Sequence, residues 1–238
     1  VEEANQVFQN SEVQAEWNLE AAVQVRYDES GASLPTHLNR LTSSTDGFFD
    51  EIHEYRGVLN ADFVSLIVND TDGGQFGGFA WVQPPPPVPW NGPFSIVDQG
   101  NMVGNLTLAH ELGHNMGLGH DQASNPMATT ITTYANGWNF AGATQGNLRT
   151  VMSVSAGTRV PHYSDPGIKF DDGVTGLVGS FGADSARAIR DFLWLHPTYG
   201  ISGIPSDLPN SFASFGAGPI QFGAFNTPFD KLMEAVLQ

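Results

Sequence analysis

Apolar residues at the start of the chain follow a helical spacing and then change to alternation. The first ten residues, VEEANQVFQN, place apolar side chains three or four positions apart, which predicts a helix. From Val13 to Tyr27 apolar and polar residues alternate, which predicts a long strand or a hairpin. Helical spacing returns in TDGFFDEIHEYRGVLN, and ADFVSLIV is a short β-rich run typical of a buried strand. The chain therefore starts in alternating α/β order.

Two more short strands, GGFAWV and FSIVD, are predicted on either side of a proline run. That run, QPPPPVPWNGP, has too few amide hydrogens for an interior strand and predicts an exposed, polyproline-like segment at the rim of the domain. Between Gln122 and Pro161 no period is sustained, so this stretch is predicted to be mostly loop. Helical spacing resumes in ADSARAIRDFLWLH and ends at Pro197.

Phenylalanine and glycine are frequent beyond Gly203. SFASFGAGPIQFGAF repeats a Phe pair imperfectly, and DKLMEAVLQ has the spacing of a two-turn amphipathic helix. Because many exposed aromatic rings would form a sticky patch, we expect these phenylalanines to pack on the main domain. A linker or a docking tail is the alternative.

Composition narrows the possible partners and chemistry. The 238 residues include 25 acidic and 9 basic side chains, and a formal charge of -16 repels nucleic acid and anionic lipid, so neither is an expected partner. No run approaches the roughly 20 apolar residues that a membrane helix needs. There is no cysteine, which excludes disulfides, a thiol nucleophile and thiolate metal ligands.

Three histidines and a glutamate lie close together in LTLAHELGHNMGLGHD. His110 and His114 are four residues apart, so on a helix their imidazoles can point at one centre. Gly117 and a second glycine two residues later let the chain turn back, so that His120 can close the site. A surface helix whose histidines merely cluster is the competing interpretation.

Three neutral imidazoles with one open position are typical of catalytic zinc, whereas structural zinc usually has four protein ligands. Glu111 does not need to ligate the metal. It can take a proton from a zinc-bound water as this attacks a carbonyl and return it to the departing amine. The motif therefore predicts amide hydrolysis.

HELGHNMGLGHD resembles the zinc motif of the metzincin metalloendopeptidases, and the Asp121 that follows the third histidine resembles the reprolysin (adamalysin) branch. DGFFDEIHEYRGVLNADFVSLIV, LRTVMSV and TRVPHYSDP are also similar to segments of secreted bacterial proteases of this kind, including peptidyl-Asp metallopeptidases. The resemblance covers about Val1 to Trp194. It implies an α/β (α+β) fold with a mixed twisted sheet, an antiparallel edge strand and an active-site helix.

The resemblance also implies how the chain divides. A catalytic domain would span 1–202, with an upper subdomain over about 1–117 and a smaller, irregular lower one over about 118–202. Residues 203–238 would be an extension. Met152, in TVMSV, would form the hydrophobic floor of a Met-turn, although a lone methionine can equally fill a core. Asp121 would make a structural hydrogen bond below the site.

Substrate contacts follow from the resemblance as well. GGFAWV would be an edge strand that receives an extended peptide through backbone groups, those of Phe79 and Trp81 among them; the alternative is a protected sheet edge. The residues assigned to this edge are Gly78, Phe79, Ala80 and Trp81. Arg159, His162 and Tyr163 would line the pocket for the side chain just past the cut bond. Arg159 would favour acidic side chains there, or else pair with a carboxylate of the protein.

The chain departs from the resemblance in two respects. Relatives usually have a strand before the first helix, so either that strand is missing or another segment fills the sheet. They also often carry disulfides, for which calcium could compensate; NDTDGG, from Asn69 to Gly74, offers oxygen ligands, or forms a simple turn.

The leading prediction is a secreted, monomeric zinc endopeptidase that cleaves extended proteins or peptides. A silent metzincin-like binding or surface-structural module is the first alternative, and intact Glu111 argues against it. A zinc amidase for small molecules is the second, and the edge strand argues against that.

Overall fold

The computed structural model describes residues 1–69, 76–86, 92–123, 129–178 and 182–192. Its helices are α1 (Glu2–Asn10), α2 (Leu34–Thr42), α3 (Asp50–Leu59), α4 (Gln99–Met102), α5 (Thr107–Asn115) and α6 (Ser185–Phe192). Its strands are β1 (Val64–Val68), β2 (Gly78–Ala80), β3 (Phe94–Asp98), β4 (Asn139–Ala141), β5 (Asn147–Arg149), β6 (Thr158–Arg159), β7 (Lys169–Phe170) and β8 (Gly173–Val174).

The main sheet is mixed and has the order β1-β3-β2. β1 runs parallel to the central strand β3, and β2 runs antiparallel to it. All five residues of β3 are buried, as expected for a strand covered on both faces. Helix α2 packs with β1 and β3 in one apolar cluster, while α5 contacts β2 and β3. The predicted α/β class with an antiparallel edge strand is confirmed.

The predicted strand or hairpin from Val13 to Tyr27 is wrong. Burial alternates at first, since Val13 is buried and its neighbours are exposed, but no residue of this stretch pairs in a sheet. The segment runs alongside β1: Trp17 packs edge-on against Phe63, and Glu29 accepts a hydrogen bond from the amide of Asn69. The twelve residue steps from Trp17 to Glu29 thus cover the same length as the six steps from Phe63 to Asn69. The segment advances less per residue than a β-strand does, so its backbone groups cannot stay in register with those of β1 and no ladder of hydrogen bonds forms.

Helix α2 was not predicted. Leu34, Leu38 and Leu41 are buried at helical spacing, and a proline occupies the first turn, where its missing amide hydrogen costs nothing. The pattern is short and follows a polar turn, so its period is weak. The histidine of this helix, His37, is also buried, and its Nδ1 lies 2.6 Å from the Tyr27 hydroxyl.

The second half of the chain is irregular, as predicted for Gln122 to Pro161, but three very short strands interrupt it. β4, β5 and β6 form one small sheet, and β7 pairs with β8 outside that stretch. Helix α6 returns to the first half: Ala186 and Ile189 share a core cluster with Val7, Phe8 and residues of α5. The two halves therefore share one core.

Several predictions fall outside the described residues. They concern most of the proline run, the candidate calcium segment after Asn69, Pro197, and the extension 203–238. The subdomain and domain boundaries stay predictions, as does the monomeric state. Among the described residues, no helix combines the length and the apolar character needed to cross a membrane.

Asp62 provides a test of how α3 meets β1. Burial raises the pKa of its carboxyl from 3.8 to about 6, against the lowering effect of the Arg56 guanidinium. The folded state therefore holds this proton more tightly than the unfolded chain does. The protonated carboxyl makes its full contribution to the free energy of unfolding below pH 3.8, and this contribution is lost as the pH rises through 6. We predict that Asp62→Asn exceeds wild type in unfolding free energy by roughly 1 kcal/mol at pH 8, allowing for partial exposure.

Urea denaturation at pH 8 and pH 4 measures this difference. The advantage should vanish at pH 4, where the wild-type carboxyl is neutral. An equal advantage at both pH values would contradict the prediction.

Candidate metal centre

Three imidazoles converge on one point. His110 and His114 lie one helical turn apart on α5, and their Nε2 atoms are 3.1 Å apart. The Nε2 of His120 lies 3.2 Å from that of His110 and 3.1 Å from that of His114. In the described part of the chain, these three residues form a group of side chains able to hold a metal ion, and no fourth His, Asp or Glu joins them.

Backbone carbonyls fix the orientation of two rings. The Nδ1 of His110 donates to the Val151 carbonyl at 2.7 Å, and the Nδ1 of His114 donates to the Leu118 carbonyl at 2.9 Å. Because a carbonyl can only accept, the ring hydrogen lies on Nδ1 and leaves the Nε2 lone pair directed at the centre. This is the arrangement that metal-ligating histidines usually have.

The turn after α5 brings in the third ring. Gly117 has φ +84°, and a methyl group placed on it would lie 2.5 Å from Ile131 Cβ, so both its backbone and its packing require glycine. Gly119 is then held between two strand-like hydrogen bonds, donating to the Ala135 carbonyl at 2.7 Å and accepting from the Gly137 amide at 3.0 Å. The chain is thereby reversed and His120 faces α5.

Burial keeps all three histidines neutral. It lowers the pKa of His110 well below 6.5 and that of His114 to about 3, and in each the nearby histidines lower it further. Burial also lowers the pKa of His120. Neutral imidazole is the form that ligates metals.

The triangle fits a metal ion of zinc's size. Zinc–nitrogen bonds of about 2.0–2.1 Å at the tetrahedral angle separate the nitrogens by about 3.3 Å. The observed separations of 3.1–3.2 Å are close to this value. Three lone pairs at such short distances repel one another unless a cation lies between them, so the donor set itself favours a metal.

Glu111 lies beside the triangle without joining it. Its side chain is buried, and burial raises the pKa of its carboxyl to about 8, while the Arg159 guanidinium opposes this rise. Gly78 of β2 packs directly against it: a methyl group there would lie 2.7 Å from both Glu111 Cγ and Oε1. The carboxyl is therefore enclosed between α5 and the edge strand.

Asp121 ties the histidine turn to the segment after Met152. Its Oδ2 accepts from the Ser153 hydroxyl at 2.8 Å and the Val154 amide at 3.0 Å, and its Oδ1 accepts from the Ser155 hydroxyl at 2.9 Å. The carboxylate is almost fully buried, at 3% exposure, so these bonds replace its hydration.

Met152 lies against the metal-binding helix. It is fully buried, and its sulfur would overlap a methyl group placed on Gly113, the residue just before His114 on the helix. The residue before it, Val151, supplies the carbonyl that orients His110. Gly113 was not among the predicted residues, although a glycine inside a helix is itself a sign of close packing.

The free edge of β2 is offset by one residue from the prediction. The Asp98 amide donates to the Gly77 carbonyl, and the Trp81 amide donates to the Phe94 carbonyl, so alternate residues from 77 to 81 bond towards β3. The backbone groups of Gly78 and Ala80 therefore point outward, and those of Phe79 and Trp81 do not.

Side chains of β2 divide in the same way. Phe79 joins the apolar cluster of α2, and the Trp81 indole donates to the Thr42 hydroxyl of α2 at 2.7 Å. Gly78 faces α5, where it touches Glu111. The backbone groups of Phe79 and Trp81 therefore do not face a peptide bound at this edge, because register assigns alternate residues to each side of a strand, whereas the predicted contacts through Gly78 and Ala80 stay predictions.

The structure separates the three residues predicted to line the substrate pocket. Arg159 lies near the histidines and Glu111, and its guanidinium donates to the Asn105 carbonyl at 2.8 Å. Burial, followed by the charge of Arg149, lowers its pKa to about 10. Its Nε is buried and has no hydrogen-bond partner among the described residues.

Tyr163 is corrected from a pocket residue to a core residue. It is 1% exposed, packs against Phe8 and donates its hydroxyl to the Ala109 carbonyl of α5 at 2.8 Å. Its polar end is thus used to fix the helix. His162 is buried against Phe170, and its pocket role stays a prediction.

Asn115 was missed by the sequence analysis. It is fully buried at the end of α5, and its Nδ2 donates to the Trp81 and Phe94 carbonyls at 2.9 and 3.1 Å. It fastens the helix to the segment that leaves the edge strand. The only sequence signal for this role is that a side-chain amide follows His114 directly. The hydrogen-bond partners of Asn115 are backbone atoms far away along the chain, which the sequence does not reveal.

Two histidines on α5, a third on the turn after it, a buried glutamate and a strand that ends the sheet of the described residues together define a metallopeptidase-type site. The chain belongs to metallo-peptidase family M12B, reprolysin-like, whose family model matches residues 1–177.

Similar proteins come from two bacterial genera. The peptidyl-Asp metalloendopeptidase of Stenotrophomonas maltophilia (strain R551-3) is 31% identical over 193 residues, covering 79% of this chain and 44% of that protein. The peptidyl-Asp metalloendopeptidase of Xanthomonas campestris pv. campestris is 27% identical over 196 residues, covering 79% of this chain and 43% of that protein. The chain thus spans less than half the length of these relatives.

A solved structure of a chaperone-substrate complex shares the fold. It aligns with a TM-score of 0.55 at 21% sequence identity, and the match covers 84% of this chain and 31% of that chain.

Gly113→Ala tests the packing of Met152 under the helix. The added methyl group would overlap the sulfur, so we predict a loss of about 1–3 kcal/mol in unfolding free energy. Met152→Ala alone should also cost stability, by about 2–5 kcal/mol, because it leaves a cavity.

The two losses should not add in the double variant, because removing the sulfur makes room for the methyl group. Chemical denaturation of metal-free protein measures all three variants without metal linkage. If the two losses in unfolding free energy simply add, the contact between Gly113 and Met152 is contradicted.

Proposed function

We propose that this protein is a zinc endopeptidase that hydrolyses peptide bonds in extended protein or peptide substrates. The observation that carries the proposal is the convergence of three neutral imidazoles, those of His110, His114 and His120, beside the buried carboxyl of Glu111. These three residues would hold the ion, and family membership favours a metal-dependent peptidase.

Zinc held by these three histidines would supply Lewis-acid polarisation of the scissile carbonyl and would lower the pKa of water. Glu111 takes a proton from the attacking water and returns it to the departing amine. Its enclosure between α5 and β2 excludes bulk solvent. Burial opposes the ionised form in which the carboxylate accepts a proton, and the Arg159 guanidinium favours that form. The carboxyl lies outside the ligand triangle, so it can serve this purpose without filling a ligand position.

Three further residues support the site in this proposal. Met152 forms the floor of a Met-turn, packed beneath α5 at Gly113. Asp121 holds the chain after Met152, and Gly117 permits the turn that presents His120. None of them touches substrate.

The substrate lies along β2 in this proposal. An extended peptide adds an antiparallel strand by bonding to the outward backbone groups of Gly78 and Ala80. Because Gly78 also touches Glu111, the bound peptide passes directly beside the proton carrier. The exposed ring of Trp81, at 37% exposure, offers an apolar contact further along the edge.

Arg159 favours an acidic side chain next to the cut bond in this proposal. The similar Stenotrophomonas and Xanthomonas proteins are named peptidyl-Asp metalloendopeptidases. Arg159 lies close enough to Glu111 to affect its pKa, and one of its buried nitrogens lacks a partner in the described residues. Arg149, its register partner across β5 and β6, adds a second positive charge. A substrate carboxylate would satisfy both the nitrogen and the charge.

Export from the cell is also proposed. It rests on the resemblance to secreted bacterial proteases and is tested by finding the full-length protein, expressed from its own gene, in culture medium or in cells.

Glu111→Gln tests the mechanism. We predict at least a 100-fold fall in kcat on casein with zinc still bound at one ion per chain, because the amide cannot carry the proton. Chelation should abolish casein digestion in the wild type, and added zinc should restore it.

Zinc content by mass spectrometry is the control that separates chemistry from metal loss. A pure, zinc-loaded wild-type chain that cuts no unfolded protein would refute the proposed function and favour a binding module.

Arg159→Gln tests the acidic preference. Matched peptides with Asp or Asn after the cut bond are compared by kcat/KM, and the wild-type preference for Asp should fall at least tenfold in the variant, as expected for the loss of a charge-assisted hydrogen bond. Arg187→Gln, in an exposed ion pair on α6, is the control that should retain the preference. An unchanged preference in Arg159→Gln would remove Arg159 from the pocket.

A further inference from the structure

Gly78 is the residue at which the edge strand meets the glutamate. A methyl group placed on it would lie 2.7 Å from Glu111 Cγ, 2.7 Å from Glu111 Oε1 and 2.7 Å from the Ile96 carbonyl oxygen. Side-chain carbons essentially never approach other atoms this closely, so no residue with a side chain fits here without a shift.

The strand itself cannot retreat easily. β2 is bonded to β3 on both sides of Gly78, through the Gly77 and Trp81 positions. Beyond the strand, Asn115 donates to the Trp81 carbonyl at 2.9 Å, and the Gln83 amide donates to the His114 carbonyl at 3.1 Å. The edge is thus fastened to both β3 and α5.

The backbone of α5 is equally constrained. The Tyr163 hydroxyl holds the Ala109 carbonyl, and His110 is bonded to the Val151 carbonyl. Both anchors lie within two residues of Glu111. Of the two groups that a methyl group on Gly78 would overlap, the Ile96 carbonyl belongs to the bonded backbone of β3, so the flexible side chain of Glu111 is the group that can move aside.

We infer that Gly78 is a positioning residue for Glu111, and this inference rests on the proposed function. The missing side chain at position 78 lets the carboxyl lie against the strand, beside the three ligand nitrogens and in line with a peptide bound at the same edge. A larger residue displaces the carboxyl while leaving the three histidines in place.

Gly78→Ala is compared with a control of matched severity, Gly173→Ala. A methyl group on Gly173, in β8, would lie 2.5 Å from the Ala141 carbonyl oxygen of β4, so it also overlaps a strand carbonyl, but in another sheet. With zinc bound at one ion per chain in both variants, Gly78→Ala should lose at least about 100-fold in kcat. Gly173→Ala should lose stability and keep kcat per folded molecule. A wild-type kcat in Gly78→Ala would overturn the inference.

A stability cycle gives a readout that does not depend on activity. Gly78→Ala is made in the wild-type and Glu111→Ala backgrounds, and unfolding is followed in metal-free protein. If the methyl group displaces Glu111, removing that side chain should make the loss measurably smaller, with only the part due to the Ile96 carbonyl remaining. An equal loss in both backgrounds would assign the overlap to the Ile96 carbonyl and overturn the inference. An inactive wild type would refute the endopeptidase proposal and leave this cycle unaffected.

Discussion

The structure depends on holding three imidazole nitrogens within 3.2 Å of one another. Helix geometry alone aligns two of the rings, but their tautomers are set by the carbonyls of Val151 and Leu118, which belong to other parts of the chain. The turn after α5 and the segment around Val151 must therefore be in place before the lone pairs converge. Much of the packing around α5 serves this requirement, since the core cluster joins that helix to α1, α6 and the Val151 region.

Helix α5 is also the common support of the metal centre and the sheet edge. One end of β2 touches Glu111 through Gly78, and the segment after the strand is fastened to Asn115. Helix α5 and the segments bonded to it therefore hold the edge strand β2 at a fixed distance from the three histidines. A peptide paired with this edge would meet the metal centre in a fixed register, as hydrolysis of an internal peptide bond requires.

Charge is distributed unevenly around the site. The chain carries 25 acidic and 9 basic residues, yet Arg149 and Arg159 are register partners on adjacent strands, and Arg159 lies near the histidines. Burial and mutual repulsion lower the pKa of Arg159, so the pair is retained at an electrostatic cost that a bound carboxylate would offset. This local charge is opposite to that of the protein as a whole. In the proposed function it would favour an acidic substrate, which the surface in general repels.

The sequence by itself determined that three histidines converge, that β2 is an edge strand and that the fold is α/β, because helical spacing and strand alternation are local properties. It did not determine the path of Val13 to Tyr27. Whether an alternating segment pairs with a strand depends on how the length it covers compares with that of the neighbouring strand, here β1. It misassigned Tyr163, whose hydroxyl partner lies 54 residues away. Only the tertiary structure decided which backbone groups of β2 face outward, and that Gly78 and Glu111 touch, because register and close approach are relations between distant segments.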